Sequence, residues 1–323
     1  MKPQRCTVGV DIGGTKIAVG VVATDGSVLA EKTLPTKSHT GFADGVGRIA
    51  AAVREVILES GQTKEDLLGL GIGCAGPVDP LRGEINNPHT LPGWPGAKIV
   101  PALAREFGLP VWLENDADAA ALGEYYFGAG QGVDPVVMLT IGTGVGGAVI
   151  MRGGIYRGVD GEHPEIGHIP ISFAGQRCYC GRSGCLESII SGPAIADAGK
   201  KFGLETAAEV FAGMAAGNAG AAAILADVQR ALDAAIWTLL HTFSPARIIL
   251  GGGLVDAQAE FFTAAARQAQ KSAHLVARST VDIVPARLGN RAGLVGAAGW
   301  ALRRSESPGE PAVRPGHAFS LSP

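Results

Sequence analysis

Apolar positions near the start of the chain change from the short period of strands to the longer period of a helix and back. Three apolar runs rich in β-branched residues, near Cys6–Val10, Ile17–Ala23 and Val28–Pro35, predict strands. Helical spacing over about Ala43–Ser60 then predicts an amphipathic helix, and Leu68–Gly73 predicts a buried strand. The chain therefore opens with a predicted β-β-β-α-β unit.

The rest of the chain alternates strands and helices, which is typical of an α/β protein. A proline-rich loop from Cys74 to Gly96 is long enough to bind a ligand, and the stretch from Arg152 to Ser191 is predicted to be irregular. A short helix is predicted before Val111. The other predicted elements are strands at Val111–Leu113, Val136–Thr140, Val145–Met151, Arg247–Leu250 and Val281–Val284, and helices at Ala117–Phe127, Pro193–Phe202, Glu205–Ala216, Ala219–Thr242, Ala257–Ala273 and about Asn290–Arg303.

Two of the predicted hairpins share a glycine-rich turn. Val8–Lys16 and Val137–Gly147 are each an apolar run that breaks into glycines and then resumes as a second apolar run. Asp11 and Thr140 hold equivalent places before the two turns, so the segments align as a duplicated unit. Backbone N–H groups in such turns can bind a phosphate, because no side chain fills the space before them. Either turn alone could be a plain hairpin, but together they favour two related lobes with a nucleotide held between them.

Composition and charge narrow the class of partner. With 323 residues and 46% apolar content, the chain can fill two hydrophobic cores. Its net charge of −3 and mixed charges predict no nucleic-acid partner and no membrane partner, which leaves a small-molecule substrate. Residues 1–7 lack the apolar core of a signal peptide, so a cytoplasmic location is expected, and the tail 305–323 is expected to be disordered.

Four potential metal ligands lie within eighteen residues. His168, Cys178, Cys180 and Cys185 offer one nitrogen and three sulfurs, a set that suits a closed, tetrahedral, structural zinc site. Free thiols or one accidental disulfide are the alternative. Bound zinc would hold rigid the two carboxylates at the ends of this segment, which belong to Glu165 and Glu187.

Two further segments admit both a structural and a functional interpretation. Asn115 and Asp116 follow a predicted strand and open a helix, where either residue could cap the helix. Beside two phosphate turns, Asp116 is better interpreted as a general base that accepts a hydroxyl proton during phosphoryl transfer. Gly251–Gly253 ends a buried strand, and could be an ordinary turn or a surface on which a base or ribose lies.

Several motifs together resemble the ROK family (repressors, open reading frames, kinases), and within it the bacterial glucokinases most. The resemblance extends from about Val8 to Arg303, and its cysteine motif is highly specific. Glu162-His-Pro-Glu165 departs from the family, whose members more often have a small residue before the glutamate. The motifs are Asp11-Ile-Gly-Gly-Thr-Lys16, Gly76-Pro-Val-Asp79, Glu114-Asn-Asp116, Gly142-Thr-Gly-Val-Gly-Gly147, Glu165-Ile-Gly-His168 and Cys178-x-Cys-Gly-x-x-Gly-Cys-Leu-Glu187.

This resemblance implies a two-lobe actin/hexokinase-like (ribonuclease H-like) α/β ATPase fold with an interlobe cleft. The expected lobes are 1–116, completed by the last helix at about 290–303, and 117–289, with the zinc-binding loop at 168–187. The implied reaction is ATP-dependent phosphorylation of glucose at its 6-hydroxyl with Asp116 as base, and a homodimer or homotetramer is expected. The implied ligands are Asn87, Asn115, Asp116, Glu165, His168 and Glu187 for the sugar, Asp11 for Mg²⁺ through water, Gly13, Gly14, Thr15, Lys16, Gly142, Thr143 and Gly144 for the phosphates, and Gly251, Gly252 and Gly253 for the adenosine.

Rival functions within the family stay open at this point. N-acetylglucosamine, N-acetylmannosamine and fructose kinases differ from glucokinases in the pocket wall, which one sequence does not resolve, and polyphosphate is an alternative donor. A sugar-sensing repressor is the rival from another class. Such repressors carry a helix-turn-helix domain before the first phosphate turn, whereas the first strand is predicted here by about Cys6.

Overall fold

A computed structural model describes residues 5–173, 175–273 and 281–306. Up to residue 127 it contains β1 (Cys6–Ile12), β2 (Lys16–Ala23), β3 (Val28–Pro35), α1 (Phe42–Glu59), β4 (Leu67–Cys74), β5 (Val78–Asp79), β6 (Glu84–Ile85), β7 (Ala97–Lys98), α2 (Ile99–Phe107), β8 (Val111–Asn115) and α3 (Asp116–Phe127). The later elements are β9 (Val136–Ile141), β10 (Val145–Met151), β11 (Gly154–Ile155), α4 (Glu187–Ile190), α5 (Gly192–Gly199), α6 (Ala207–Ala215), α7 (Ala219–Phe243), β12 (Arg247–Gly251), α8 (Gly253–Ala257), α9 (Ala259–Ser272), β13 (Asp282–Pro285) and α10 (Ala292–Glu306).

The described residues form two compact units. Unit 1 contains 5–131, 155–163 and 291–306, and unit 2 contains 132–154, 164–273 apart from 174, and 281–290. The predicted lobes differ from this division at two points, since both α3 and the segment 155–163 follow the predicted boundary at 116 but belong to unit 1. For α3 the reason is its packing against α10, which is the most extensive helix contact of α3. The last helix, α10, also belongs to unit 1.

Unit 1 is built on a five-stranded sheet in the order β3-β2-β1-β4-β8. β1 is antiparallel to β2 and parallel to β4, and β4 is parallel to β8. The apolar side chains of Ile49, Val53 and Val56 on α1 are buried in the core of this unit. α10 approaches the sheet closely because Gly71 has no side chain, and a Cβ there would collide with the carbonyl of Ala297.

Unit 2 repeats the same sheet in the order β11-β10-β9-β12-β13. β9 is antiparallel to β10 and parallel to β12, and β12 is parallel to β13, which matches unit 1 strand for strand. Asp11 pairs with Ala18 in β2, and Thr140 pairs with Gly146 in β10, each one residue before the end of its strand. The predicted duplication is confirmed.

α7 is the central helix of unit 2, and Leu232, Ile236 and Leu239 on it are fully buried in the core. Among the described helices, none taken singly has the length and apolar content to cross a bilayer. α6 and α7 pass that test only as a pair, and they meet at a bend of 113°.

Four sequence predictions of local structure were wrong. The loop 74–96 contains β5 and β6, which form a small sheet with β7, and the supposedly irregular 152–191 contains β11 and α4. The single helix predicted at Ala257–Ala273 is two helices, because the backbone of Gln258 leaves the helical region at φ −136°. Ser305 and Glu306, predicted to be disordered, continue α10, and residues 307–323 of the predicted tail lie outside the described residues.

Candidate active site

The first glycine turn, residues 13–16, is fixed by a hydrogen bond within the turn and by hydrogen bonds from Thr36. Gly13 N–H donates to the carbonyl of Lys16 at 3.0 Å, and Thr36 N–H donates to the carbonyl of Thr15 at 2.9 Å. The Thr36 hydroxyl also donates to the carbonyl of Gly13 at 2.6 Å. A Cβ built at Gly14 would lie 3.0 Å from the Cβ of Thr90, so a larger residue there would press on the neighbouring loop. The turn is thus fixed in shape while Gly14, Thr15 and Lys16 stay exposed.

Two acidic residues meet at the carboxyl ends of the parallel strands of unit 1. β1, β4 and β8 bring Asp11, Cys74 and Asp116 to the same edge of the sheet, where α/β proteins commonly bind ligands. Burial, and then the negative charge of Asp116, raise the pKa of Asp11 to about 7, while Lys16 opposes the shift. Burial also raises the pKa of the Cys74 thiol, with smaller contributions from Asp116 and Asp11. The structure therefore brings the predicted magnesium residue and the predicted base together.

Asp11 also lies against the first turn of α10. A Cβ built at Gly293 would lie 2.6 Å from Asp11 Oδ2, so residue 293 must be a glycine for the carboxylate to keep this place. Sequence reasoning did not single out this glycine, because its role depends on a packing contact between distant segments.

Asp11→Asn is expected to stabilise the ligand-free protein more at pH 8 than at pH 5. Because the folded pKa of Asp11 is raised from its ordinary value to about 7, its contribution to stability is present at low pH and lost as the pH rises through that interval. Asparagine removes the loss. Thermal unfolding of both proteins at both pH values measures the gain in stability, because each kcal/mol of unfolding free energy moves Tm by roughly 2–4 °C. Equal gains at the two pH values, or the same pH dependence in the control Asp227→Asn at an exposed position of α7, would contradict the assignment.

The corner between β8 and α3 holds the next two predicted residues. Asn115 is the N-cap of α3, and its Oδ1 accepts hydrogen bonds from the N–H groups of Ala117 at 2.8 Å and Asp118 at 3.3 Å. Asp116 is the first residue of the helix, and its Oδ1 accepts from Ala117 N–H at 2.8 Å. A Cβ at Gly76 would lie 2.8 Å from Asn115 Nδ2, so the proline-rich loop passes close to the cap. The capping interpretation is confirmed for Asn115.

Three charged residues with largely buried side chains lie behind this corner, and sequence reasoning missed their pairing. Arg157 donates to Glu114 and lies 2.6 Å from Asp118 Oδ2. Burial raises the pKa of Glu114 to about 7, although Arg157 opposes the shift. Their separation along the chain, 43 residues between Arg157 and Glu114, explains why no motif revealed the pairing.

Asn87, a predicted sugar ligand, is buried and its amide group organises the loop that contains it. Its Nδ2 donates to the carbonyl of Ala75 at 3.1 Å and to the hydroxyl of Thr90 at 2.6 Å. Its Oδ1 accepts from the N–H groups of His89 and Thr90, both at 2.9 Å. Because Thr90 lies against Gly14, Asn87 supports the first phosphate turn, and its sugar contact stays a prediction.

The second glycine turn, residues 142–144, lies beside the glycine-rich segment 251–253 within unit 2. Gly142 N–H donates to the carbonyl of Gly144 at 2.9 Å, and its own carbonyl accepts from Gly192 N–H at 2.8 Å. Gly252 has φ 94°, and a Cβ there would lie 2.6 Å from the carbonyl oxygen of Ile141. A Cβ at Gly142 would lie 3.7 Å from Gly253 N. The predicted phosphate and adenosine segments of this unit are therefore adjacent.

The four predicted metal ligands converge in unit 2. One ligand atom from each of His168, Cys178, Cys180 and Cys185 lies within 4.8 Å of all the others, with His168 Nδ1 3.5 Å from Cys178 Sγ and Cys180 Sγ 3.5 Å from Cys185 Sγ. All five cysteines are described, and all are free thiols. A backbone hydrogen bond from Arg182 holds the pKa of Cys180 below its usual value. The donor set and its spacing fit a tetrahedral zinc ion.

The polar residues next to this cluster gather around one tyrosine that sequence reasoning missed. The Tyr179 hydroxyl lies 3.1 Å from His168 Nε2, and partial burial with the charges of Glu187 and Glu165 raises the pKa of this hydroxyl. Glu187 Oε2 accepts from Val145 N–H at 2.8 Å. The three predicted sugar ligands of unit 2 are thus together, and Glu187 also supports the strand that follows the second phosphate turn.

Comparison with known proteins places this chain in a family. A model of the ROK family matches residues 7–304. A glucokinase of Halalkalibacterium halodurans is 33% identical to the chain, over 94% of this chain and 97% of the relative. The alignment therefore covers nearly the whole of both sequences.

Solved structures show the same likeness. The ROK hexokinase of Thermus thermophilus is 34% identical, with a TM-score of 0.81 over 93% of this chain and 99% of that chain. A ROK family glucokinase of Streptomyces griseus, solved with glucose and AMPPNP, is 33% identical, with a TM-score of 0.78 over 92% of this chain and 99% of that chain. The predicted α/β, actin/hexokinase-like fold is confirmed, and the chain belongs to the ROK family.

Proposed function

We propose that the protein is an ATP-dependent sugar kinase that phosphorylates the 6-hydroxyl of a hexose, with glucose as the preferred substrate. One observation carries the proposal: a fixed glycine turn and the carboxylates of Asp11 and Asp116 meet at one edge of the unit 1 sheet. Relatives support the sugar and the donor, because a similar enzyme is a glucokinase and another binds glucose and AMPPNP.

Asp116 is the proposed general base. Its carboxylate would take the proton of the sugar hydroxyl while that oxygen forms a bond to the γ-phosphorus of ATP and the bond from this phosphorus to ADP breaks. Its place as the first residue of α3, behind the cap of Asn115, fixes its backbone and favours the negative charge.

Each unit offers groups that suit a nucleotide. In unit 1, the backbone N–H groups of residues 13–16 would bind phosphate oxygens and Lys16 would supply positive charge. In unit 2, the backbone N–H groups of residues 142–144 would bind phosphate oxygens and residues 251–253 would border the adenosine. Asp11 suits Mg²⁺ because a hard cation prefers carboxylate and water oxygens. Mg²⁺ would neutralise charge on the transferred phosphoryl group.

The sugar ligands are proposed on the basis of their chemistry and grouping. Asn115 in unit 1, and Glu165, His168 and Glu187 in unit 2, offer the polar groups that sugar hydroxyls require. His168 Nε2 and Glu187 already have partners in Tyr179 and Val145 N–H, so sugar binding would share or replace those hydrogen bonds.

We also propose that the cluster of His168, Cys178, Cys180 and Cys185 binds one structural zinc ion. When bound, zinc would supply folding free energy to a loop that buries little apolar surface, as shown by Tyr179 at 69% exposed and Phe173 at 107%. The cytoplasmic location and the homodimer or homotetramer stay predictions.

A sugar panel tests the proposed function. ADP release would be measured with ATP or polyphosphate and with glucose, mannose, fructose, N-acetylglucosamine or N-acetylmannosamine. We expect ATP and glucose to give the highest kcat/KM, by at least about tenfold over the N-acetyl sugars. An apolar pocket discriminates only weakly between similar substrates. A pocket with buried polar groups discriminates strongly, because the wrong substrate leaves those groups unpaired. A higher kcat/KM for another sugar would identify that sugar as the preferred substrate. If no sugar stimulated ADP release, the proposed kinase activity would be refuted.

A further inference from the structure

One arginine is the counter-ion of two buried carboxylates next to the proposed base. Arg157 lies in the segment 155–163, by which the chain returns to unit 1 after β11. Its Nη1 lies 2.6 Å from Asp118 Oδ2, and its Nη2 donates to Glu114 Oε1. The side chains are withdrawn from water, with 13% of the arginine, 4% of the glutamate and none of the aspartate exposed.

The two carboxylates lie on either side of Asp116 along the chain. Glu114 is near the end of β8, and Asp118 is in the first turn of α3. A planar guanidinium that contacts both therefore joins the strand end to the helix start across the three residues between them, of which Asp116 is the middle one. Glu114 Oε1 also accepts from Asn115 N–H at 3.0 Å, which links the pair to the helix cap.

Charge makes this arrangement depend on the arginine. The buried carboxylates of Glu114 and Asp118, each two residues from that of Asp116, would repel one another. Each would also carry a large desolvation cost without a paired cation. Burial alone would lower the pKa of Arg157, but the charges of Glu114 and Asp118 outweigh this effect and raise it. The arginine is thus held in its charged form.

We propose that Arg157 is a positioning residue for Asp116. By clamping Glu114 and Asp118, it fixes the turn from β8 into α3, and so the direction in which the Asp116 carboxylate points, without touching the substrate. The catalytic part of this inference rests on the proposed function of Asp116, whereas the clamp is a property of unit 1 in the ligand-free protein.

Two conservative variants test the clamp. Arg157→Lys keeps the charge but replaces the two-pronged group with a single ammonium, and Asp118→Asn keeps the pair of Arg157 with Glu114. We expect each to lower kcat about tenfold or more while KM for sugar and ATP changes less than about twofold, because a misplacement near 1 Å can cost roughly 100-fold. Arg230→Lys, in an exposed pair with Asp227 on α7, is the matched control and should keep the wild-type kcat.

Hydrogen exchange gives a readout that does not need activity. In the ligand-free protein, amides of a peptide covering residues 111–120 should exchange about tenfold faster in Arg157→Lys and Asp118→Asn, and at the wild-type rate in Arg230→Lys. Wild-type kcat and wild-type exchange in both clamp variants would overturn the proposal, as would a loss confined to KM. If the wild-type protein phosphorylates no sugar, the proposed function fails, and the exchange rates alone decide whether Arg157 orders the corner.

Discussion

Replacing Asp116 by asparagine is expected to lower kcat by at least about 100-fold, with only a modest change in sugar affinity. Asparagine keeps the size of the side chain and can still accept the hydrogen bond from Ala117 N–H, so the corner at the start of α3 should stay intact. It cannot accept a proton from the sugar hydroxyl, and general-base catalysis contributes roughly 10²–10⁴-fold to such reactions. Steady-state ADP release at saturating ATP, with sugar varied, measures kcat and KM separately.

Asp227→Asn is the matched control for this prediction, because Asp227 is an exposed aspartate on α7. It should leave both kinetic constants unchanged. Near-normal turnover in Asp116→Asn would remove Asp116 as the base. A large increase in the KM for sugar at unchanged kcat would instead make Asp116 a sugar ligand only, since the lost interaction would then be uniform binding.

The repeated part of the fold could be predicted from sequence because its signals are local. The runs that became β1, β2, β9 and β10 are β-branched and nearly wholly buried, and the glycines between them mark where each hairpin turns. Asn115 and Asp116 were placed correctly for the same reason, since a cap lies within one turn of the helix that it starts.

The missed features depend on contacts between distant residues or on elements too short to show a period. β5, β6 and β7 have two residues each, so alternation cannot be detected in them. The pairing of Arg157 with Glu114 is set by the path of the chain after β11 and leaves no motif. The four hydrogen bonds of the Asn87 amide within its own loop are also revealed by no composition or spacing, and its sugar contact stays a prediction.

Loss of the metal cluster is expected to abolish activity even though its three cysteines take no part in the proposed chemistry. Two ligands adjoin the proposed sugar carboxylates: His168, itself a proposed sugar ligand, ends the 3₁₀ turn that Glu165 caps, and Cys185 lies two residues before Glu187. Glu187 in turn accepts from Val145 N–H, directly after the second phosphate turn. Since zinc binding can supply on the order of 10 kcal/mol to a small site, Cys180→Ser should free both carboxylates together and reduce kcat/KM at least about 100-fold.

Metal analysis and a cysteine control separate this loss from general damage. Wild-type protein should contain one zinc per chain, and a zinc chelator used with Mg²⁺ in excess should remove activity that added zinc restores. Cys6→Ser changes a buried thiol in unit 1 that donates to the carbonyl of Asp66, so it should keep both zinc and turnover. Purified wild-type protein without zinc, or Cys180→Ser protein with normal kcat/KM, would contradict the structural role of the cluster. Zinc-free protein that retained hydrogen-exchange protection around residues 142–147 but lost sugar affinity would place the effect on the sugar ligands rather than on the phosphate turn.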